Sequence, residues 1–110
     1  MIKEYICWID EKADLNWMDV SKITDFACLF EKSKFIGNIS EWDVSNVTTM
    51  QWMFRDSNFN GDLSNWDVSN VTNMVGMFVR NERFDKDISR WNVSNVTLMD
   101  FMFYGAKSFR

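Results

Sequence analysis

Apolar residues along the chain recur with one spacing that appears four times. In the second copy the spacing is three, two and three positions, at Ile39, Trp42, Val44 and Val47. The other copies keep the same steps, at Leu15, Met18, Val20 and Ile23, at Leu63, Trp66, Val68 and Val71, and at Ile88, Trp91, Val93 and Val96. Because alternate side chains of a strand point to opposite faces, this spacing predicts a short strand in each copy.

The second half of each copy has a spacing that is typical of a helix. In the second copy apolar residues follow i, i+3, i+6 and i+7, at Val47, Met50, Met53 and Phe54. This places them on one face of an α-helix. We therefore predict short helices near 47–56, 71–80 and 96–105, each capped by the serine or asparagine before it. Helices of this length are marginal alone, so stacking of the copies must hold them.

The copies are true internal repeats. Segments of thirteen residues begin at Trp42, Trp66 and Trp91, and nine of their thirteen positions are identical in all three. A degenerate first copy begins at Met18, and the repeat period is 24 to 25 residues. A repeat of this length suits a stack of coils, each made of one strand and one helix.

These patterns predict an α/β fold: a leucine-rich-repeat-like solenoid of four strand–helix coils. The amphipathic spacing of Ile2, Tyr5, Ile6 and Ile9 predicts a helix at the N-terminus. A solenoid needs its end covered, so we assign residues 1–14 to an N-terminal capping helix and 15–110 to the solenoid, with the last coil truncated. The open C-terminal edge, where Phe109 lies, predicts at most weak end-to-end self-association.

The repeat block D-[IL]-S-x-W-D-V-S-N-V-T-x-M-x-x-M-F resembles that of the BspA-like bacterial surface proteins, and the resemblance covers residues 15–109. It implies a leucine-rich-repeat-like fold, a place on the cell surface or outside the cell, and a role in adhesion and protein binding. It implies no catalytic residue. The chain shows no export signal, so a cytoplasmic location is the alternative.

Composition and charge exclude several classes of function. The net charge is −4, whereas a nucleic-acid-binding protein needs a basic surface. Histidine is absent, which excludes Ser-His-Asp chemistry and histidine-ligated metals within this chain. The longest apolar run has five residues, from Tyr5 to Ile9, so no membrane insertion is expected. The two cysteines, Cys7 and Cys28, form no metal-binding spacing and indicate no compartment. We expect no cofactor, no metal and no enzymatic activity.

One column of acidic residues occupies the same outward position in successive coils, with Asp19, Asp43, Asp67 and, in the last coil, Asn92. Stacked carboxylates can bind a hard cation such as Ca²⁺ or act as a paired acid and base. Alternatively, each side chain accepts hydrogen bonds from a neighbouring turn. Asn92 keeps the acceptor without the charge, which favours the second interpretation.

A second outward column varies from coil to coil, with Trp17, Glu41, Asn65 and Arg90. In repeat proteins the varied, exposed positions carry recognition, although ordinary solvated surface is the alternative. The tryptophans at 42, 66 and 91 could stack on sugars or bases, but their place in the apolar frame favours the core, as it does for the methionines.

The sequence therefore predicts a non-enzymatic module that binds a protein, or mediates adhesion, through a concave face. The eight residues of the two outward columns are the candidate binding face. A structural spacer within a longer repeat array is the alternative. The partner is expected to be a protein rather than nucleic acid or a membrane.

Overall fold

The computed structural model describes residues 2–8 and 10–109, apart from the side chains of Lys3, Glu4 and Cys7. Helix α1 spans Ile2–Trp8. Its Ile6 is buried in the core and Ile2 packs against it, whereas Tyr5 and Trp8 are exposed. Ile9, the next apolar position of the predicted helix, lies outside the described residues.

After α1 the chain forms four coils that stack in register. We define them as coil 1 (15–38), coil 2 (39–62), coil 3 (63–87) and coil 4 (88–109). Neighbouring coils meet in isolated parallel bridges, Asp14 with Asn38, Asp25 with Thr49, Thr49 with Asn73, and Asn73 with Leu98. No two of these bridges are consecutive along the chain, so the described residues form no β-strand and no sheet.

Each coil is built from β-turns whose apolar end residues point into the core. In coil 2, for example, Trp42 N–H donates to the Ile39 carbonyl at 3.2 Å and Val47 N–H to the Val44 carbonyl at 2.9 Å. A β-turn joins residues i and i+3 in this way. The three-residue apolar step therefore marks the two ends of a turn, which both reach the core.

The predicted α/β solenoid with a helical cap is wrong, because the segments predicted as helices near 47–56, 71–80 and 96–105 are pairs of successive turns. The third residue of each of these turns has a positive φ, for example Trp52 at 56° and Asp56 at 55° in coil 2. The same two columns hold Cys28 and Lys32 in coil 1, Gly76 and Arg80 in coil 3, and Phe101 and Gly105 in coil 4. A right-handed helix cannot pass through a left-handed residue, so α1 is the one helix in the described chain.

The parallel sheet expected along one side of the solenoid is absent from the described residues, where the coils meet only in isolated bridges. Backbone hydrogen bonds between coils replace the sheet. In coil 3, Gly76 N–H donates to the Asp100 carbonyl at 2.9 Å and Phe78 N–H to the Met102 carbonyl at 2.8 Å. On another side, each threonine of one column donates its N–H to the preceding one, from Thr97 through Thr72 and Thr48 to Thr24.

The core consists of columns of identical or similar side chains. One column of stacked rings runs through Phe30, Phe54, Phe78 and Phe103, with centroids 5.4 to 5.5 Å apart. The prediction that the tryptophans of the apolar frame lie in the core is confirmed, since Trp42, Trp66 and Trp91 are all buried. No helix among the described residues is long and apolar enough to span a membrane.

Candidate recognition face

The varied column lies at the third position of the first turn in each coil. Both ends of that turn, such as Ile39 and Trp42, are buried, so the residue between them is directed away from the core. All four members of the column, which we call the recognition column, are exposed: Trp17, Glu41, Asn65 and Arg90. Stacking thus brings together four side chains that lie 24 to 25 residues apart in the sequence.

The backbone beneath the recognition column is held by the buried tryptophans. The indole N–H of Trp42 donates to the Leu15 carbonyl at 2.8 Å, and that of Trp66 donates to the Ile39 carbonyl at 3.0 Å. Trp91 repeats the bond to Leu63 at 2.9 Å. Each indole therefore ties its own coil to the turn that carries the recognition residue of the preceding coil.

The aspartate column, with Asp19, Asp43, Asp67 and Asn92, lies two residues further along the chain and is exposed as well. The Oδ1 atom of each residue accepts a hydrogen bond from the backbone N–H two residues later, at 3.0 to 3.1 Å. Asp19 and Asp43 also accept from the hydroxyls of Ser21 and Ser45 at 2.6 Å. The side chain thus stabilises the turn that follows it in its own coil.

The electrostatics of the aspartate column reflect these hydrogen bonds. The hydroxyl and then the N–H of Ser45 lower the pKa of Asp43, while the charges of Asp67 and Asp19 raise it by a smaller amount. Serine hydrogen bonds likewise lower the pKa of Asp19 and Asp67. The three carboxylates are therefore ionised at neutral pH and form an acidic stripe.

The side chains of the recognition column make few contacts within the described part of the protein. Those of Glu41 and Asn65 make no hydrogen bond or ion pair there. Trp17 makes one edge-on ring contact, with Tyr5 at 6.1 Å, and remains 67% exposed. Hydrogen bonds from the hydroxyl and N–H of Ser89 lower the pKa of Asp87, and the charge of Arg90 lowers it by a smaller amount.

No three Asp, Glu, His or Cys side chains of the described residues are grouped closely enough to hold a metal ion. In the aspartate column, the Oδ1 atom of each carboxylate accepts the hydrogen bonds from serine.

A family model described as "Mycoplasma protein of unknown function, DUF285" matches residues 4–110, nearly the whole chain. The chain belongs to the DUF285 family. No curated protein and no solved structure matches the chain. The description of the DUF285 family assigns no activity, so a role for its member rests on the geometry above.

The structure of this DUF285 member also contains a polar groove that the sequence analysis missed. The groove has a volume of about 430 Å³ and is lined by Glu11, Lys34, Ile36, Asn58, Asn60 and Arg83. Within the described residues Lys34 and Arg83 make no ion pair. The signal that could have identified it is positional, because most of these residues directly flank the buried phenylalanine column at 35, 59 and 84.

Trp52, which the sequence places outside the apolar frame, belongs to the scaffold of the DUF285 member. Its ring lies against Gly76 of the next coil, where a Cβ atom would collide with it, and the Arg55 guanidinium lies 5.2 Å from the ring centroid. Gly76 has a φ of 59°, so glycine here serves both the turn and the close approach.

Proposed function

We propose that the chain is a non-enzymatic module that binds a protein partner, in adhesion or in another assembly, through the recognition and aspartate columns. The observation that carries the proposal is a contrast within each coil. The backbone of the turn repeats almost unchanged in all four coils, whereas the exposed residue at its third position is aromatic, acidic, amide or basic.

The arrangement suits protein binding for a thermodynamic reason. Coils that are tied together by backbone and indole hydrogen bonds lose little freedom when a partner binds, which lowers the entropic cost of association. Tryptophan and arginine are also the side chains that most often dominate the energy of an interface. Trp17 and Arg90 lie at opposite ends of the recognition column and bracket its polar members.

Charge favours a partner with a basic surface. Glu41 lies beside three ionised aspartates, so the centre of the candidate face is acidic, as is the whole chain at −4. Opposite charge on the partner would speed association and favour the correct orientation.

The repeat block also supports a closer relation to the BspA-like surface proteins, and with it a place on the cell surface. On that reading the chain acts in adhesion, and its acidic face meets proteins outside the cell. A cytoplasmic location would leave the binding proposal intact and change the set of available partners.

A spacer role is the second candidate. It is favoured by the contacts between coils, in which the same backbone hydrogen bonds and the same core columns recur from one coil to the next. A spacer would make no use of the recognition column, so the two proposals differ in what that column does.

Quantitative affinity capture tests the proposal with three versions of the chain. These are the wild type, a variant with Trp17→Ala, Glu41→Ala, Asn65→Ala and Arg90→Ala, and a control variant with Lys34→Ala and Asn58→Ala in the groove. We expect the wild type to capture a specific protein. The amount captured should fall at least tenfold with the first variant and stay unchanged with the control. Equal capture by all three, or no specific capture, would contradict binding through this face and favour the spacer.

A further inference from the structure

The polar groove crosses coils 1, 2 and 3 along a column of buried phenylalanines. Phe35, Phe59 and Phe84 are at most 2% exposed, and the rings of the first two stack at 6.3 Å. The residues directly before and after these rings lie at the surface and, together with Glu11, line the groove. They are Lys34, Ile36, Asn58, Asn60 and Arg83.

A buried polar side chain fixes the backbone beneath the groove. Asn81 is fully buried, and its Oδ1 accepts the N–H groups of Arg83 and of the next residue, both at 3.0 Å. Its Nδ2 donates to the Ser57 hydroxyl at 3.3 Å and to the Phe59 carbonyl at 3.1 Å. Asn81 therefore ties the segment that carries Arg83 to the segment that carries Asn58. Since these bonds exist before any ligand binds, a ligand need not order the two walls.

The hydrogen-bond donors that line the groove lack partners within the described part of the chain. Lys34 and Arg83 make no ion pair there. Asn60 uses its Oδ1 to accept the N–H of Asp85 at 3.1 Å, so its Nδ2 remains as a donor, and the side chain of Asn58 makes no hydrogen bond. The groove thus offers an ammonium, a guanidinium and two amide groups.

The positive charges of the groove are not neutralised from within it. On a neighbouring side of the stack Arg80 is paired across coils, with its Nε 2.8 Å from Asp56. Among the described lining residues Glu11 carries the one carboxylate, and it forms no ion pair with either cation. Asp85 lines a neighbouring depression instead. On a chain with a net charge of −4, the groove is therefore a local site for an anion.

The set of donors fits a phosphate group better than a carboxylate. A guanidinium binds either one through two parallel hydrogen bonds. A phosphate monoester, however, carries about 1.5 to 2 negative charges at pH 7 and three strong acceptor oxygens, enough for two cations and an amide. The volume of about 430 Å³ lies in the range of small-molecule sites. Ile36, which is 40% exposed, adds an apolar surface for the rest of the ligand.

We propose that the groove binds a small molecule that carries a phosphate monoester. Lys34 of coil 1 and Arg83 of coil 3 contact the phosphate from two sides, and the amide of Asn58 in coil 2 donates to it between them. The site goes beyond the binding of a protein partner and does not rest on it. A basic partner suits the acidic recognition face, whereas the groove requires an anion, so the two ligands use different surfaces.

NMR titration of the intact chain with methyl phosphate at pH 7 tests the site. Sodium chloride keeps the ionic strength constant, and the side-chain amide signals of Asn58 and Asn60 report binding. We expect these signals to shift and to saturate in the millimolar range, and acetate to bind at least tenfold more weakly. The absence of a saturable shift, or equal binding of acetate, would overturn the proposal.

Two double variants separate the site from the overall charge. Lys34→Ala with Arg83→Ala should weaken the binding of methyl phosphate at least tenfold. Lys22→Ala with Arg90→Ala removes the same two positive charges outside the groove and should leave the affinity within twofold of the wild type. All four side chains are exposed, so both variants should keep the fold, which their amide spectra verify. Equal weakening in the two variants would assign the effect to net charge and overturn the site.

Discussion

At the scale of single residues, the exposed aspartates act through their ability to accept hydrogen bonds. Asp67 accepts from the N–H of Ser69 at 3.0 Å, and Asn92 accepts from Ser94 at 3.1 Å with the same geometry. Because an amide oxygen replaces a carboxylate oxygen in coil 4, the turn requires an acceptor and tolerates the loss of charge.

Two substitutions at Asp67 separate the acceptor from the charge. Asp67→Asn should leave the free energy of unfolding nearly unchanged, because the acceptor remains and the repulsion from Asp43 is removed. Asp67→Ala should lower it by about 0.5 to 2 kcal/mol, the range for the loss of a capping side-chain acceptor. Urea titration measures both. Added Ca²⁺ should not shift either midpoint, and a calcium-dependent rise in the wild type alone would revive the metal interpretation.

The lowered carboxylate pKa values predict how stability depends on pH. Hydrogen bonds from serine lower the pKa of Asp19, Asp43, Asp62, Asp67 and Asp87 below that of an unfolded chain. Their contribution is therefore fully present above about pH 5 and is lost as pH falls through about 4 and below. In thermal melts, the contribution of these carboxylates to Tm should be constant above that range and should decline in acid. A Tm that rises on acidification below pH 4 would contradict this sign.

At the scale of elements, the apolar spacing is compatible with two structures. The steps i, i+3, i+6 and i+7 describe one face of a helix, and they equally describe two successive β-turns whose ends are buried. The difference lies in the left-handed residues, and in coil 2 these are Trp52 and Asp56. Tryptophan carries no sequence signal for a positive φ, and aspartate carries only a weak one. Gly76 and Gly105 were the available hints, because glycine is unfavourable inside a helix.

The difference in stability between a glycine and an alanine variant has opposite signs in the turn and in a helix. Lys32 is exposed and has a φ of 57°, in the column where coil 4 has Gly105. Lys32→Gly should therefore be more stable than Lys32→Ala by about 1 kcal/mol, because glycine adopts this conformation without strain. At Lys34, which is exposed without a positive φ, the order should reverse. Chemical denaturation measures the pairs, and alanine more stable than glycine at residue 32 would indicate a helix.

The candidate face was easier to predict than the elements that carry it. The repeat alignment places Glu41, Asn65 and Arg90 in one column whatever the backbone between them does, and the structure brings this column to the surface. The polar groove could not be predicted in this way. It combines Glu11, which precedes coil 1, with residues of three coils, and the one-residue insertion before Phe84 changes the spacing there.

At the scale of the whole molecule, stability comes from contacts between successive coils. Phe78 is fully buried and stacks on Phe54 at 5.4 Å and on Phe103 at 5.5 Å, so it joins three coils. Each coil contacts only its neighbours, and a defect in the middle is felt on both sides.

The loss of stability on truncating one ring should depend on the place of that ring in the stack. Phe78→Ala should lower the free energy of unfolding by about 3 to 5 kcal/mol, the usual cost for a buried phenylalanine. Phe103→Ala, at the half-buried end of the column, should cost less and leave coils 1 and 2 unaffected. Urea titration followed by residue-resolved NMR measures both. Equal losses at the two positions would contradict a stack in which the end ring contributes less than a central one.

The hydrogen bonds between coils provide the most direct test of the stacked turns. Scalar couplings across hydrogen bonds, measured by NMR between amide nitrogen and carbonyl carbon, identify each donor and acceptor. Stacked turns predict couplings from Phe54 N–H to the Met77 carbonyl and from Phe78 N–H to the Met102 carbonyl, both at 2.8 Å here. Couplings from these amides to the carbonyls four residues earlier, at Met50 and Met74, would show α-helices and contradict the structure.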